Sequence, residues 1–138
     1  MQTIEKTTLA NLIHNEQYTR KVLPFIKGDY FSDRTERIVF EEIQKFVDKY
    51  NALPNQNSLE VELDSRKDLN EEDYKRVLTV VKELQKDDDV NFEWLVETTE
   101  QFCKDKAVYN AIVDGIAIID GKDKKRGVDA LPTILTDA

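Results

Sequence analysis

Apolar residues recur along this chain at spacings of three and four, the repeat that lays one face of an α-helix against a core. Ile4, Leu9, Leu12 and Ile13 form the first such set, which Asn15 is placed to stop. Tyr18, Val22, Leu23 and Ile26 form a second, kinked or ended by Pro24, with a turn at Gly28 before Tyr30 and Phe31. The clearest helix follows. Ser32 or Asp33 can cap it, Glu36 stands in capping-box position, and Ile38, Val39, Ile43, Phe46, Val47 and Tyr50 supply its apolar stripe. Asn51 and Pro54 end it, and Glu41, Glu42, Lys45, Asp48 and Lys49 are expected on the solvated face.

Asn55, Asn57 and Ser58 introduce a short helix from Leu59 to Leu63, and Asn70 caps another that presents Tyr74, Val77, Leu78, Val81 and Leu84. Asp87, Asp88 and Asp89 then break the pattern as a solvated junction. From Asn91 the periodicity resumes and holds to Ile119, enough for a helix about 43 Å long. Its second half, AVYNAIVDGIAII, is apolar nearly all round, so two faces want burial. The glycine-bounded run DGKDKKRG predicts a turn, and Leu131 and Leu135 predict a short returning helix with Pro132 in its first turn. The expected fold is all-α: a small multi-helix globule over residues 1–89, then a projecting antiparallel helical hairpin over 90–138. The returning arm is short and the end at Ala138 abrupt, so the chain reads as the leading piece of a longer protein.

Composition narrows the function. The 138 residues carry 28 acids against 20 Lys and Arg, a net charge of −8. Such a surface repels phosphate, which argues against direct DNA binding. Residues 58–100 hold fourteen acids and six bases, whereas 101–127 hold four acids and six bases. Glu5, Lys6 and Glu16 interrupt the first twenty residues, so neither a signal peptide nor a membrane span is expected, and the protein reads as cytoplasmic. The single cysteine, Cys103, excludes an internal disulfide framework.

Chemistry-bearing patterns are sparse. The one Gly-Lys pair, Gly121-Lys122, is followed by Asp123 rather than Ser or Thr, so it makes no phosphate loop. The same turn lacks the alternating ligands of a calcium loop. His14 is the only histidine and reads as a helix-end residue; Cys103 reads as a packing residue. Glu41 with Glu42, and Glu71, Glu72 and Asp73, read as solvated faces rather than acid-base pairs. Tyr30, Phe31 and Trp94 read as packing residues rather than base-stacking platforms, and the basic tip of Lys122, Lys124, Lys125 and Arg126 as a solubilising turn. No catalytic residue, metal or cofactor is assigned to this chain.

The stretch LPFIKGDYFSDRTERIVFEEIQKFVDKYNALPNQNSL resembles the amino-terminal domain of DnaB-type replicative helicases: an aromatic pair before a turn, a charged helix start, then a long helix ending before a proline loop. NFEWLVETTEQFCKDKAVYNAI, with the charged turn and GVDALPTILTDA, looks like the hairpin of that domain in T-even-type phages. The resemblance implies hairpins paired between subunits into a collar on a hexameric ring, where primase and a helicase loader dock. It also implies a RecA-like motor, with ATP and Mg, in the rest of the parent chain. On that basis Phe102, Tyr109, Ile112, Val113, Ile116 and Ile119 are the expected subunit interface. No docking residue transfers from the family; the acidic segment from Glu60 to Asp89, with Glu71, Glu72 and Asp73, is expected to face a partner because a charged patch can steer a basic one. The helicase-binding domain of a primase and a free-standing helical phage adaptor are the alternatives.

Overall fold

Local capping chemistry sets where each helix begins. In the computed structural model, which describes residues 3–119, six α-helices and two short 3-10 turns follow one another, with no strand among the described residues. Helix α1 (Ile4–His14) starts at Thr3, whose hydroxyl accepts from the Lys6 amide. Asn15 ends α1 and opens α2 (Glu16–Val22), its side chain accepting from the Tyr18 amide. Pro24 then tightens the chain into a 3-10 turn, Leu23–Phe25, and a second 3-10 turn spans Gly28–Tyr30. Helix α3 (Arg34–Tyr50) is capped by Asp33, whose carboxylate takes the amides of both Thr35 and Glu36. It ends at Asn51 in the left-handed conformation, φ 50°, which asparagine tolerates better than most residues. Asn55 with Ser58 and Asn70 with Asp73 form reciprocal capping boxes for α4 (Gln56–Asp64) and α5 (Glu71–Glu83). Helix α6 (Phe92–Ile119) runs for 28 residues, and the Asn91 side chain caps it through the Trp94 amide.

The all-α expectation holds, and the expected helix sets appear within a few residues of their anticipated ends. Asp87, Asp88 and Asp89 are exposed and lie outside any helix. The returning arm and the basic tip fall on residues 120–138, outside the described residues.

Two compact units divide the chain, Met1–Thr99 and Glu100–Ala138, so the boundary falls inside α6. In the first unit α3 packs on α1, α4 and α5, while α1 packs on α2 and α4 on α5. Leu9, Leu12, Tyr18, Phe31, Phe40 and Ile43 are fully buried there, with Leu59, Leu63 and Leu95 from the other helices and Leu84 from the residue that ends α5. Phe31 and Phe40 stack at 5.1 Å between centroids. Inside this core the Tyr18 hydroxyl lies 2.7 Å from Thr99 Oγ1, and Thr99 in turn donates to Leu95 O at 2.8 Å.

Three more long-range polar contacts are among those that lock the unit. His14 Nε2 lies 2.8 Å from Leu84 O, and Gln56 Nε2 donates to Val81 O at 2.9 Å and Leu84 O at 3.1 Å, so two side chains satisfy the carbonyl end of α5. Arg66 closes the third contact, described below.

Glu42 corrects a sequence expectation. Instead of facing solvent it is 3% exposed, and the Arg66 guanidinium, 3.6 Å away, supplies the countercharge a buried carboxylate needs. Glu36 departs in a smaller way: its Oε2 is buried without a hydrogen bond. Burial first, and Asp33 second, raise its carboxyl above the usual carboxylate range.

Candidate functional site

Among the described residues of the second unit, α6 presents a broad apolar face. Val108, Tyr109, Ile112, Val113, Ile116 and Ile119 are 45–67% exposed. Tyr109, Ile112, Ile116 and Ile119 follow the 3,4,3 spacing of a helix-pairing seam, with Val108 and Val113 flanking it. On the other side of the same helix Ala111, Gly115 and Ile118 are buried. The two-faced apolarity of the sequence thus separates into a covered face, where Ala111 and Gly115 are small and Ile118 is large, and an open face of large residues. Lys106 Nζ lies 5.8 Å from the Tyr109 ring centroid, a cation–π contact at the edge of the open face.

Of the six residues expected at a subunit interface, five lie on the open face. Phe102 does not: it is buried with Cys103. Val108, which sequence reasoning passed over, joins the stripe instead. Its signal was present in its spacing, four residues before Ile112 and eight before Ile116.

The acidic set at the start of α5 divides by role. Asp73 belongs to the capping box and pairs with Arg34 at 3.0 Å, so much of its charge is committed to the fold. Glu71 and Glu72 are exposed and pair within the helix, with Lys75 at 3.9 Å and Arg76 at 3.7 Å. Acids in the first turn also favour the helix dipole.

Arg66 gathers a third cluster. Its guanidinium binds Asp68 in two-pronged fashion at 2.9 and 2.6 Å and lies 4.0 Å from Glu41, besides Glu42. The Arg66 hydrogen bonds hold the Asp68 carboxyl down at about 2.

Remaining candidates sit where packing puts them. Tyr30 and Phe31 are buried, but Trp94 is 52% exposed, so it is not a core residue. Burial pushes the Cys103 thiol up to about 11, with a smaller push from Glu100. Among the described residues no group of three or more His, Cys, Asp or Glu side chains is placed to hold a metal ion. No helix among them is long and apolar enough to cross a membrane.

Two comparisons with known proteins bear on this arrangement. Residues 1–92 match the family model of the DnaB-like helicase N terminal domain. The chain is also similar to a protein of Enterobacteria phage T4 named DnaB-like replicative helicase, 29% identical over 138 residues, an alignment covering 94% of this chain. It spans only 29% of that relative's length.

Proposed function

The chain belongs to the DnaB-like helicase N-terminal domain family, and we propose that it is the assembly and docking domain of a hexameric replicative DNA helicase. In this reading the parent protein carries the ATP- and Mg-dependent motor elsewhere. This domain contributes no catalytic group; it joins subunits into a collar and receives primase and a helicase loader. The family match favours this over the helicase-binding domain of a primase or a free-standing adaptor.

The observation that carries the proposal is the open apolar stripe on α6. Six large side chains lie about half exposed on one helical face, and such a concentration supports an interaction surface better than it fits scattered surface residues. Covering a half-exposed Val, Ile or Tyr contributes roughly 1 kcal/mol, so two copies paired through this face gain about 12 kcal/mol. Association itself costs about 4–15 kcal/mol. The two are comparable, so this chain alone pairs weakly and with strong concentration dependence, and the ring closes only with the rest of the parent chain.

Light scattering over a concentration series tests it. The unaltered chain rises in mass with concentration, and Ile112→Asp/Ile116→Asp stays monomeric at full helicity. A monomer at every concentration for both would remove the stripe as an interface.

The acidic turn of α5 is the proposed partner-facing surface, since exposed Glu71 and Glu72 can steer a basic partner. Glu71→Gln/Glu72→Gln lowers the on-rate for primase and flattens its salt dependence. Unchanged rates and salt slope would exclude this surface.

A further inference from the structure

The amino-terminal end of α6, which belongs to the first unit, carries a side chain that the fold does not use. Asn91 caps the helix through the Trp94 backbone amide at 2.9 Å, a bond that any residue except proline can donate. The indole itself has no hydrogen bond, ring contact or cation over its face among the described residues. Trp94 is 52% exposed, whereas Leu95, Val96 and Thr99 turn inward. At about 100° per residue, the direction opposite to those three falls between Glu97 and Trp94, so both stand on the solvent side of the helix.

The charge around the ring has one sign. Residues 87–99 hold five acids and no base. Glu93 and Glu97 are exposed, lie one turn apart and make no ion pair among the described residues. Like charges at this i,i+4 spacing weaken a helix rather than support it, so the fold gains nothing from the pair. Lys86, the nearest cation before them in sequence, is taken by Asp88 at 3.4 Å.

We propose that Trp94, with Glu93 and Glu97, seats an arginine from a basic segment of a partner protein, the guanidinium lying on the indole while its N–H groups reach a carboxylate. Among aromatic rings Trp attracts a cation most strongly, and a planar guanidinium can stack on the ring and still fork a carboxylate, which an ammonium cannot. Charge complementarity names the occupant: five acids without a base favour a cationic segment. The same acids repel the phosphates of a nucleic acid and an anionic membrane surface, the other occupants an exposed Trp could serve. Neither the α6 stripe nor the acidic turn of α5 takes part, so the inference stands apart from the collar.

Trp94 is the only tryptophan of the chain, so its fluorescence reports occupancy directly. The probes are three short peptides that alternate Gly with Arg, with Lys or with citrulline, the uncharged isostere of Arg, added at low salt to the 138-residue chain. Gly/Arg shifts the Trp94 emission saturably, Gly/Lys binds more weakly, and Gly/citrulline binds weaker than Gly/Arg by roughly tenfold or more. Followed by calorimetry, Trp94→Leu keeps the capping amide and weakens Gly/Arg roughly three- to tenfold. Glu93→Gln/Glu97→Gln weakens it by at least as much without loss of helicity, and Glu71→Gln/Glu72→Gln leaves it unchanged. Should Trp94→Leu fail to fold, Glu93→Gln/Glu97→Gln with the peptide series decides. Absence of binding, equal affinity for Gly/Arg and Gly/citrulline, full affinity in a folded Trp94→Leu, or a loss confined to Glu71→Gln/Glu72→Gln would overturn the proposal.

Discussion

Replacing Arg66 with Met isolates what the Glu42 contact does. Glu42 is 3% exposed and points its Oε2 at Arg66 Nη1, 3.6 Å away. Removing the guanidinium strands a nearly buried carboxylate, a change that costs about 3–5 kcal/mol where a pair is fully buried. Here the Arg66 side chain retains 19% exposure, so water partly replaces it and the expected loss is about 2 kcal/mol. Loss of the Asp68 contact adds little, because Asp68 is exposed and surface pairs contribute about 0–1 kcal/mol. Glu42→Gln removes the charge instead of its partner and leaves Arg66 bound to Asp68, so it loses less than about 1 kcal/mol. The double variant then recovers much of the Arg66→Met loss, a coupling of about 1 kcal/mol. Urea denaturation followed by circular dichroism at pH 7 measures all three. If Arg66→Met is no worse than Asp68→Asn, the Glu42 contact is an ordinary surface pair and the reasoning fails.

Other consequences concern titration, capping and reactivity. Glu36 has its carboxyl raised above 4.5 by burial, so its ionisation opposes folding: the native state is relatively favoured below that value and loses the advantage as pH rises through the raised one. Glu36→Gln therefore stabilises the chain at pH 7, by up to about 1 kcal/mol, and leaves it nearly unchanged at pH 3.5, as thermal melts at the two pH values can check. Gln56→Ala removes two bonds to the carbonyl end of α5; it costs about 1–2 kcal/mol and speeds amide exchange over the last turn of α5, unless water fully replaces the side chain. With its thiol pushed up to about 11, Cys103 reacts with iodoacetamide at pH 8 at least tenfold more slowly in the folded chain than in urea. Equal rates would mean that the thiol is not held away from solvent.

What the sequence made legible was local. Asn15, Asp33, Asn55 and Asn70 cap helices through bonds that span two or three residues, so composition at those positions suffices to place them. His14, Gln56 and Arg66 act over longer separations, up to the 70 residues between His14 and Leu84, and no periodicity encodes such partners. Glu42 shows the same limit. A carboxylate beside Glu41 in a charged helix reads as solvated until Arg66, 24 positions later, is folded over it. Along α6 the spacing announced apolar residues on two faces without saying which would be covered. Small side chains at Ala111 and Gly115 mark the buried face, and that contrast in size is the signal that separates Ile112 from Ile118. Phe102 lies on a heptad position with Tyr109 and Ile116, yet it is buried; spacing alone could not distinguish it.

The account rests most on the open face of α6 pairing with a second copy of itself. Cysteine cross-linking reads this directly. In a Cys103→Ala background, Ile116→Cys places a thiol in the middle of the stripe, and Val61→Cys, 61% exposed on α4, provides an equally accessible control. Under mild oxidation at a concentration where the chain self-associates, Ile116→Cys gives a covalent dimer at least tenfold faster than Val61→Cys, and adding Ile112→Asp abolishes the difference. Equal rates at the two positions, or no dimer from Ile116→Cys, would contradict the account.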